Sequence, residues 1–118
     1  MAEETKSEYT LNDICIAAMD ASLKTEGVSQ MVDVPITNRL ENIISGTSGA
    51  KGIRAWIEKG SLNMMVFLNV SYGCKIPTTA WNVQSNIRSR VQDMTGLKIG
   101  HIDINIQGVD CPDTEKDL

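Results

Sequence analysis

The sequence holds no apolar run close to the roughly 20 residues that span a bilayer, which argues against direct membrane insertion. It has one histidine, His101, and three cysteines, Cys15, Cys74 and Cys111. The cysteines are odd in number, widely spaced and without a CxxC pair. That leaves no zinc or thioredoxin-type motif and argues against a secreted disulfide framework. Cys15 and Cys74 read as buried, reduced residues. There is no Walker loop, no GxGxxG and no cluster with metal-ligand spacing, so neither a cofactor nor a metal is expected. The opening Met1-Ala2-Glu3-Glu4-Thr5-Lys6-Ser7 has no basic start and no apolar stretch. No signal peptide is expected there, and the expected compartment is the cytoplasm.

What is present is an ordinary globular composition. The 118 residues are 42% hydrophobic and 22% charged. One domain with a real core is feasible, and two are not. The net charge of −4 is uneven. Residues 1–50 carry Lys6, Lys24 and Arg39 against eight acids, a net of −5. Residues 51–98 carry seven cations against Glu58 and Asp93, a net of +5, and residues 99–118 carry −4. A basic middle between acidic ends suits intramolecular pairing, head-to-tail assembly or an anionic partner.

The periodicity predicts two main helices. Residues 1–10 read as a mobile tail, and the first helix runs from about Leu11 to Lys24, capped by Thr10 or Asn12 and stopped by Gly27. One stripe holds Leu11, Ile14, Cys15, Ala18 and Ala21. Nearly opposite lies a second apolar stripe of Ile16, Met19 and Leu23, which needs either a second covering layer or another chain. The second helix starts at Pro77 and ends at Gly96, with Ala80, Val83, Ile87, Val91 and Met94 on one face. On its margin, Trp81 either covers the core edge with Arg88 stacked on it or reaches a neighbouring molecule.

Alternation predicts the strands. Val28 to Val34 is a short one; Arg39 to Ile44 reads as a helical turn or two, and Ser45 to Gly49 as a flexible loop. Ile53 to Glu58 and Leu62 to Ser71 form a hairpin through Lys59-Gly60. On its second face Trp56 can meet Met65 or Phe67, as a satellite cluster or as a docking patch. The last strand spans Lys98 to Gln107, with Gly100 as a bulge that corrects the phase of Ile99, and Gly108 ends it. Residues 110–118 read as an acidic tail. The sum is an α+β two-layer sandwich over residues 11–109: a mixed sheet of three to four strands with two main helices packed on one face.

No catalytic constellation emerges. His101 lies on a polar strand face with Asp103 and Asn105, and Cys74 belongs to a turn at the opposite end of a strand. Asp110, Asp113, Glu115 and Asp117 lack the glycine turn of a calcium loop. Gly46-Thr47-Ser48-Gly49 has the form of a KH-domain GXXG loop, with Lys51 and Arg54 near it. Its centre carries no positive charge, and the residues from Ile53 onward read as a strand, whereas a GXXG loop opens into a helix. A KH-like single-stranded RNA-binding module using Lys51, Arg54, Arg88 and Arg90 is therefore the alternative reading.

Several short motifs occur in order. They are Val70-Ser71-Tyr72-Gly73-Cys74-Lys75-Ile76-Pro77, Val83-Gln84 with Val91, Met94-Thr95-Gly96-Leu97, Ile102-Asp103-Ile104, and Gly108-Val109. Upstream stand Ile16-Ala17, Gly27-Val28 with Met31, and Gly52-Ile53. Over residues 11–109 this pattern resembles the alkaline shock protein family, the envelope stress response proteins of Gram-positive bacteria; residues 33–50 depart from it. The resemblance implies a small cytoplasmic α/β protein without catalytic activity. It implies a part in cell-envelope homeostasis, homo-oligomerisation and a protein partner, in some members a membrane-embedded anchor. No catalytic residue carries over. The residues expected to make contacts are Ile16, Met19, Leu23, Trp56, Met65, Phe67, Trp81 and Arg88, and nucleic acid is the less favoured partner.

Overall fold

A computed structural model describes residues 9–34 and 47–111. The helical turn expected at residues 39–44, most of the N-terminal tail and residues 112–118 lie outside them. Helix α1 spans Leu11–Leu23 and α2 spans Ile76–Thr95. The strands are β1 (Val28–Met31), β2 (Thr47–Ala50), β3 (Ile53–Glu58), β4 (Ser61–Ser71) and β5 (Lys98–Asp110).

Local chemistry sets the helix ends. Thr10 Oγ1 accepts from the Asp13 N–H at 3.1 Å, and the Thr10 N–H donates to Asp13 Oδ2 at 3.2 Å. This reciprocal box satisfies two backbone donors at the start of α1. Pro77 sits in the first turn of α2, where its missing N–H costs nothing. Gly96 closes α2 in the left-handed region at φ +74°.

The hairpin of β3 and β4 pairs Glu58 with Ser61 and Ile53 with Val66. Its two turn residues, Lys59 and Gly60, both have positive φ, +53° and +79°. That is the type I′ geometry whose twist matches the strands. Strand β5 runs parallel to β4 along the whole of one edge. The other edge of β4 is shared: β3 takes Ser61 to Val66 and β1 takes Leu68 to Val70, both antiparallel. The mixed sheet is thus four strands wide, β2-β3-β4-β5, with β1 in line with β3.

Both helices cover one face. Leu62, Met64, Val66, Leu68 and Val70 of β4 join Ile53, Ala55 and Ile102 in a single buried cluster. Ile14, Cys15, Ala18 and Ala21 of α1 and Val83, Ile87 and Val91 of α2 complete it. The α+β two-layer architecture expected from periodicity is the one observed. Ile57 keeps its alternation but lies past the core, half exposed near the hairpin tip.

Three local expectations are corrected. Thr47–Ala50 is a strand, because β3 offers it a backbone partner over Ala55 to Ile53. Gly108 does not end the last strand, which continues to Asp110. Gly108 instead makes room for Asn69, whose Oδ1 lies 3.2 Å from where a Cβ would stand. Asp110 accordingly belongs to the sheet: its carboxylate accepts from Ser29, Gln30 and Asn69 side chains across β4 and β1.

The expected bulge at Gly100 is present. Leu62 pairs with Ile99 but Met64 with Ile102, so β5 carries one extra residue there. A Cβ on Gly100 would collide with Asn63 Oδ1, which accepts the His101 N–H at 2.9 Å. A second slip falls between Ile106 and Gly108, opposite Leu68 and Asn69. Each bulge therefore lies beside an asparagine of β4, at the two ends of a regular run from Ile102 to Ile106.

Candidate interaction surfaces

Among the described residues, His101 and the cysteines do not converge. His101 is exposed and lines a shallow hollow of about 300 Å³ with Glu58, Lys59 and Asn63. Cys74 lines a different one, with Glu26, Lys75 and Thr79. Cys15 is fully buried and Cys111 exposed, and none of the three cysteines is in a disulfide. Among the described residues no group of three or more His, Cys, Asp or Glu could hold a metal ion. Among them, too, no helix is long and apolar enough to cross a membrane.

The second stripe of α1 emerges largely uncovered. Ile16 is 45% and Leu23 47% exposed, while Met19 is partly buried against the core. Beside them runs a groove of about 550 Å³, whose opposite wall is Arg90 and Met94 of α2. One charged contact bridges the two helices: Arg90 Nη1 lies 3.1 Å from Asp20 Oδ2, and Lys24 Nζ reaches the same oxygen at 3.1 Å. Hydrogen bonds from Lys24 and then Arg90 hold the Asp20 carboxyl below the ordinary carboxylate range.

The other helix margin is also open. Trp81 is 66% exposed, so it does not cover the core edge. With Pro77, Ala80 and Gln84 it walls a groove of about 560 Å³ against Ile102 to Asn105 of β5. Arg88 does not settle on it as a lid either. Its Nη1 reaches toward the Ile99 carbonyl at 3.5 Å, and Gln84 Nε2 donates to the Ile102 carbonyl at 2.6 Å.

On the sheet face away from the helices the expected patch is only partly available. Trp56 stands directly across from Asn63, and Met65 across from Arg54. Phe67 lies beyond the end of that pairing and is 2% exposed, so it has no surface to give a partner. Trp56 and Met65 keep partial exposure. Alternation assigned Phe67 to the correct face, but it cannot say what covers that face.

The four cations of the RNA-binding reading are not gathered. Arg54 is buried among the far-face residues, whereas Arg88 and Arg90 belong to α2 on the opposite face. Arg90 is already paired with Asp20. The segment after Lys51-Gly52 is strand β3, where a GXXG loop would lead into a helix.

Two placements that periodicity did not give are Arg90 and Met94 in one groove with α1, and Tyr72 against Asp110 at the end of β5. The Tyr72 N–H donates to the Asp110 carbonyl, and both Tyr72 and Val109 are exposed. The first pair needed the helix-to-helix packing to be known. The second needed the true length of β5.

A family model described as the alkaline shock protein 23 family, of cell envelope-related function, matches residues 2–111. The chain is 31% identical over 104 residues to the uncharacterized protein YqhY of Bacillus subtilis, covering 88% of this chain and 76% of that one. It is 27% identical over 115 residues to the uncharacterized protein YloU of the same organism, covering 92% and 96%. The uncharacterized protein Spy1535 of Streptococcus pyogenes is 27% identical over 97 residues, covering 81% of this chain and 72% of that one. No solved structure matches this chain.

Proposed function

The chain belongs to the alkaline shock protein 23 family, of cell envelope-related function, and from that premise we propose that it is a non-enzymatic scaffold. It acts in cell-envelope homeostasis, in the manner of the envelope stress proteins, by self-association and by docking a protein partner. Its place is the cytoplasm, and it reaches the membrane through that partner.

The observation that carries this reading is the open stripe of α1. Fully burying an isoleucine or leucine side chain is worth roughly 1.5–3 kcal/mol, so two half-exposed ones leave on the order of 2 kcal/mol unused in the single chain. The groove beside them is apolar at Met19 and Met94 and charged at its rim by Asp13, Asp20 and Arg90. Apolar floor and polar rim are the anatomy of a protein contact.

The test is affinity capture of the full chain from the source cell with the membrane fraction retained, beside the same chain carrying Ile16→Asp. A membrane protein recovered with the wild type and lost with the variant is the expected result. Equal recovery with both, or recovery with neither, would contradict the docking role.

A further inference from the structure

The outer edge of β5 carries an inference of its own, which rests on the self-association half of the proposed function and says where it occurs. Phe67 turns its backbone toward the β1–β3 side: its N–H donates to the Gly52 carbonyl and its carbonyl accepts the Val32 N–H. Backbone groups alternate sides along a strand, so Met64, Val66 and Leu68 turn theirs toward β5. Their parallel partners Ile102, Ile104 and Ile106 must then point their own N–H and C=O groups outward. The Gln84 amide donating to the Ile102 carbonyl from the helix side agrees with this. Among the described residues no strand pairs with that edge.

Read outward from Ile104, β5 mirrors itself. Asp103 is matched by Asn105, Ile102 by Ile106, His101 by Gln107, Gly100 by Gly108, Ile99 by Val109 and Lys98 by Asp110. The two bulges are mirrored as well, one on each side of the regular run. Such a strand is complementary to a second copy of itself in antiparallel array. We propose that two copies of this chain join through their β5 outer edges about a two-fold axis at Ile104, making one continuous sheet.

The register follows from the chemistry. Centred on Ile104, the outward N–H and C=O of Ile104 bond those of its copy, and those of Ile102 bond those of the copy's Ile106, with every outward group of the run paired. Asp103 then faces an amide, Asn105 of the copy. Centring on Asp103 would instead oppose two carboxylates, which costs free energy. The Ile102 carbonyl keeps its bond to Gln84, because a carbonyl has two lone pairs. An axis through an antiparallel strand pair stands perpendicular to the sheet, so both helix layers lie on the same side. Trp81, already walling the groove over Ile102 to Asn105, is brought toward its counterpart over the central isoleucines. The interface is isologous and closes at two.

The experiment compares sedimentation equilibrium of the wild type, Asn105→Asp and the double variant Asp103→Asn/Asn105→Asp. The single change opposes two carboxylates on both sides of the axis and is expected to weaken dimerisation roughly two- to thirty-fold. The double change restores the carboxylate–amide match and the affinity. In a background with Cys74 and Cys111 changed to Ser, a chain carrying Asp103→Cys is mixed with one carrying Asn105→Cys. Non-hydrogen-bonded partners have Cα atoms about 4.5 Å apart, within disulfide range, so the mixture cross-links far faster than either chain alone. A wild type that self-associates, with an unchanged Asn105→Asp variant and no preferential cross-link, would overturn this edge and leave self-association standing. A wild type that stays monomeric would remove both.

Discussion

At the residue scale the sheet depends on a few positions where a side chain cannot be added. Gly52 is the clearest. Its φ is +78°, and a Cβ there would lie 2.6 Å from the Phe67 carbonyl oxygen and 2.7 Å from that of Val32. Both are backbone atoms of the seam where β1, β3 and β4 meet, so neither can swing away. Gly52→Ala is expected to cost about 2–4 kcal/mol in denaturant unfolding, combining strain at positive φ with the forced displacement. A loss below about 0.5 kcal/mol would show that the seam is not rigid. Asp20 gives a charge-based prediction. Its folded pKa is lowered, first by the Lys24 hydrogen bond and then by Arg90. The small stabilisation is therefore complete above the unfolded carboxylate pKa and is lost as pH falls through the folded value. Arg90→Ala is expected to move the Asp20 titration upward in an NMR pH series. An unmoved titration would mean that the ion pair does not persist in solution, a frequent fate of exposed pairs.

At the scale of elements, α1 and α2 test the distinction between faces that hold the fold and faces that do not. Ile87 is fully buried between α2 and the sheet. Ile87→Ala is expected to destabilise by roughly 2–5 kcal/mol, the range for a deleted core side chain. Ile16→Asp, on the open stripe, is expected to shift stability by no more than about 0.5 kcal/mol. Comparable losses from both would mean that Ile16 is covered within the single chain. These elements also show what a sequence can convey. The helix faces, the hairpin turn and the Gly100 bulge are short-range matters of period and backbone geometry, and all were legible. Strand β2 was not. Thr47-Ser48-Gly49 has the composition of a loop, and only pairing with β3 makes it extended, so tertiary context overrides propensity. Gly108 misleads for a related reason. A glycine closing an alternating run reads as a stop, whereas here it accommodates Asn69 of the neighbouring strand. For the candidate surfaces, periodicity marked Ile16 and Leu23 as a stripe outside the core. It could not distinguish exposed Trp81 from buried Phe67, because burial depends on what packs against a face.

At the scale of the whole molecule, the cations that the RNA-binding reading draws from the basic middle are not gathered in one patch. Arg54 is buried on the face away from the helices, and Arg90 is spent on Asp20. No salt-dependent mobility shift with single-stranded RNA is expected at physiological ionic strength, and a steep salt slope would overturn that. What the described residues present is an apolar helix stripe on one flank and, on the other, a strand edge with which none of their strands pairs, both suited to protein contacts. Assembly is therefore the property on which the account stands. Sedimentation velocity of the full wild-type chain over a wide concentration range measures it most directly. The expected result is a reversible shift from the 12.9 kDa chain to a species of twice that mass. A single 12.9 kDa boundary at every concentration would contradict it.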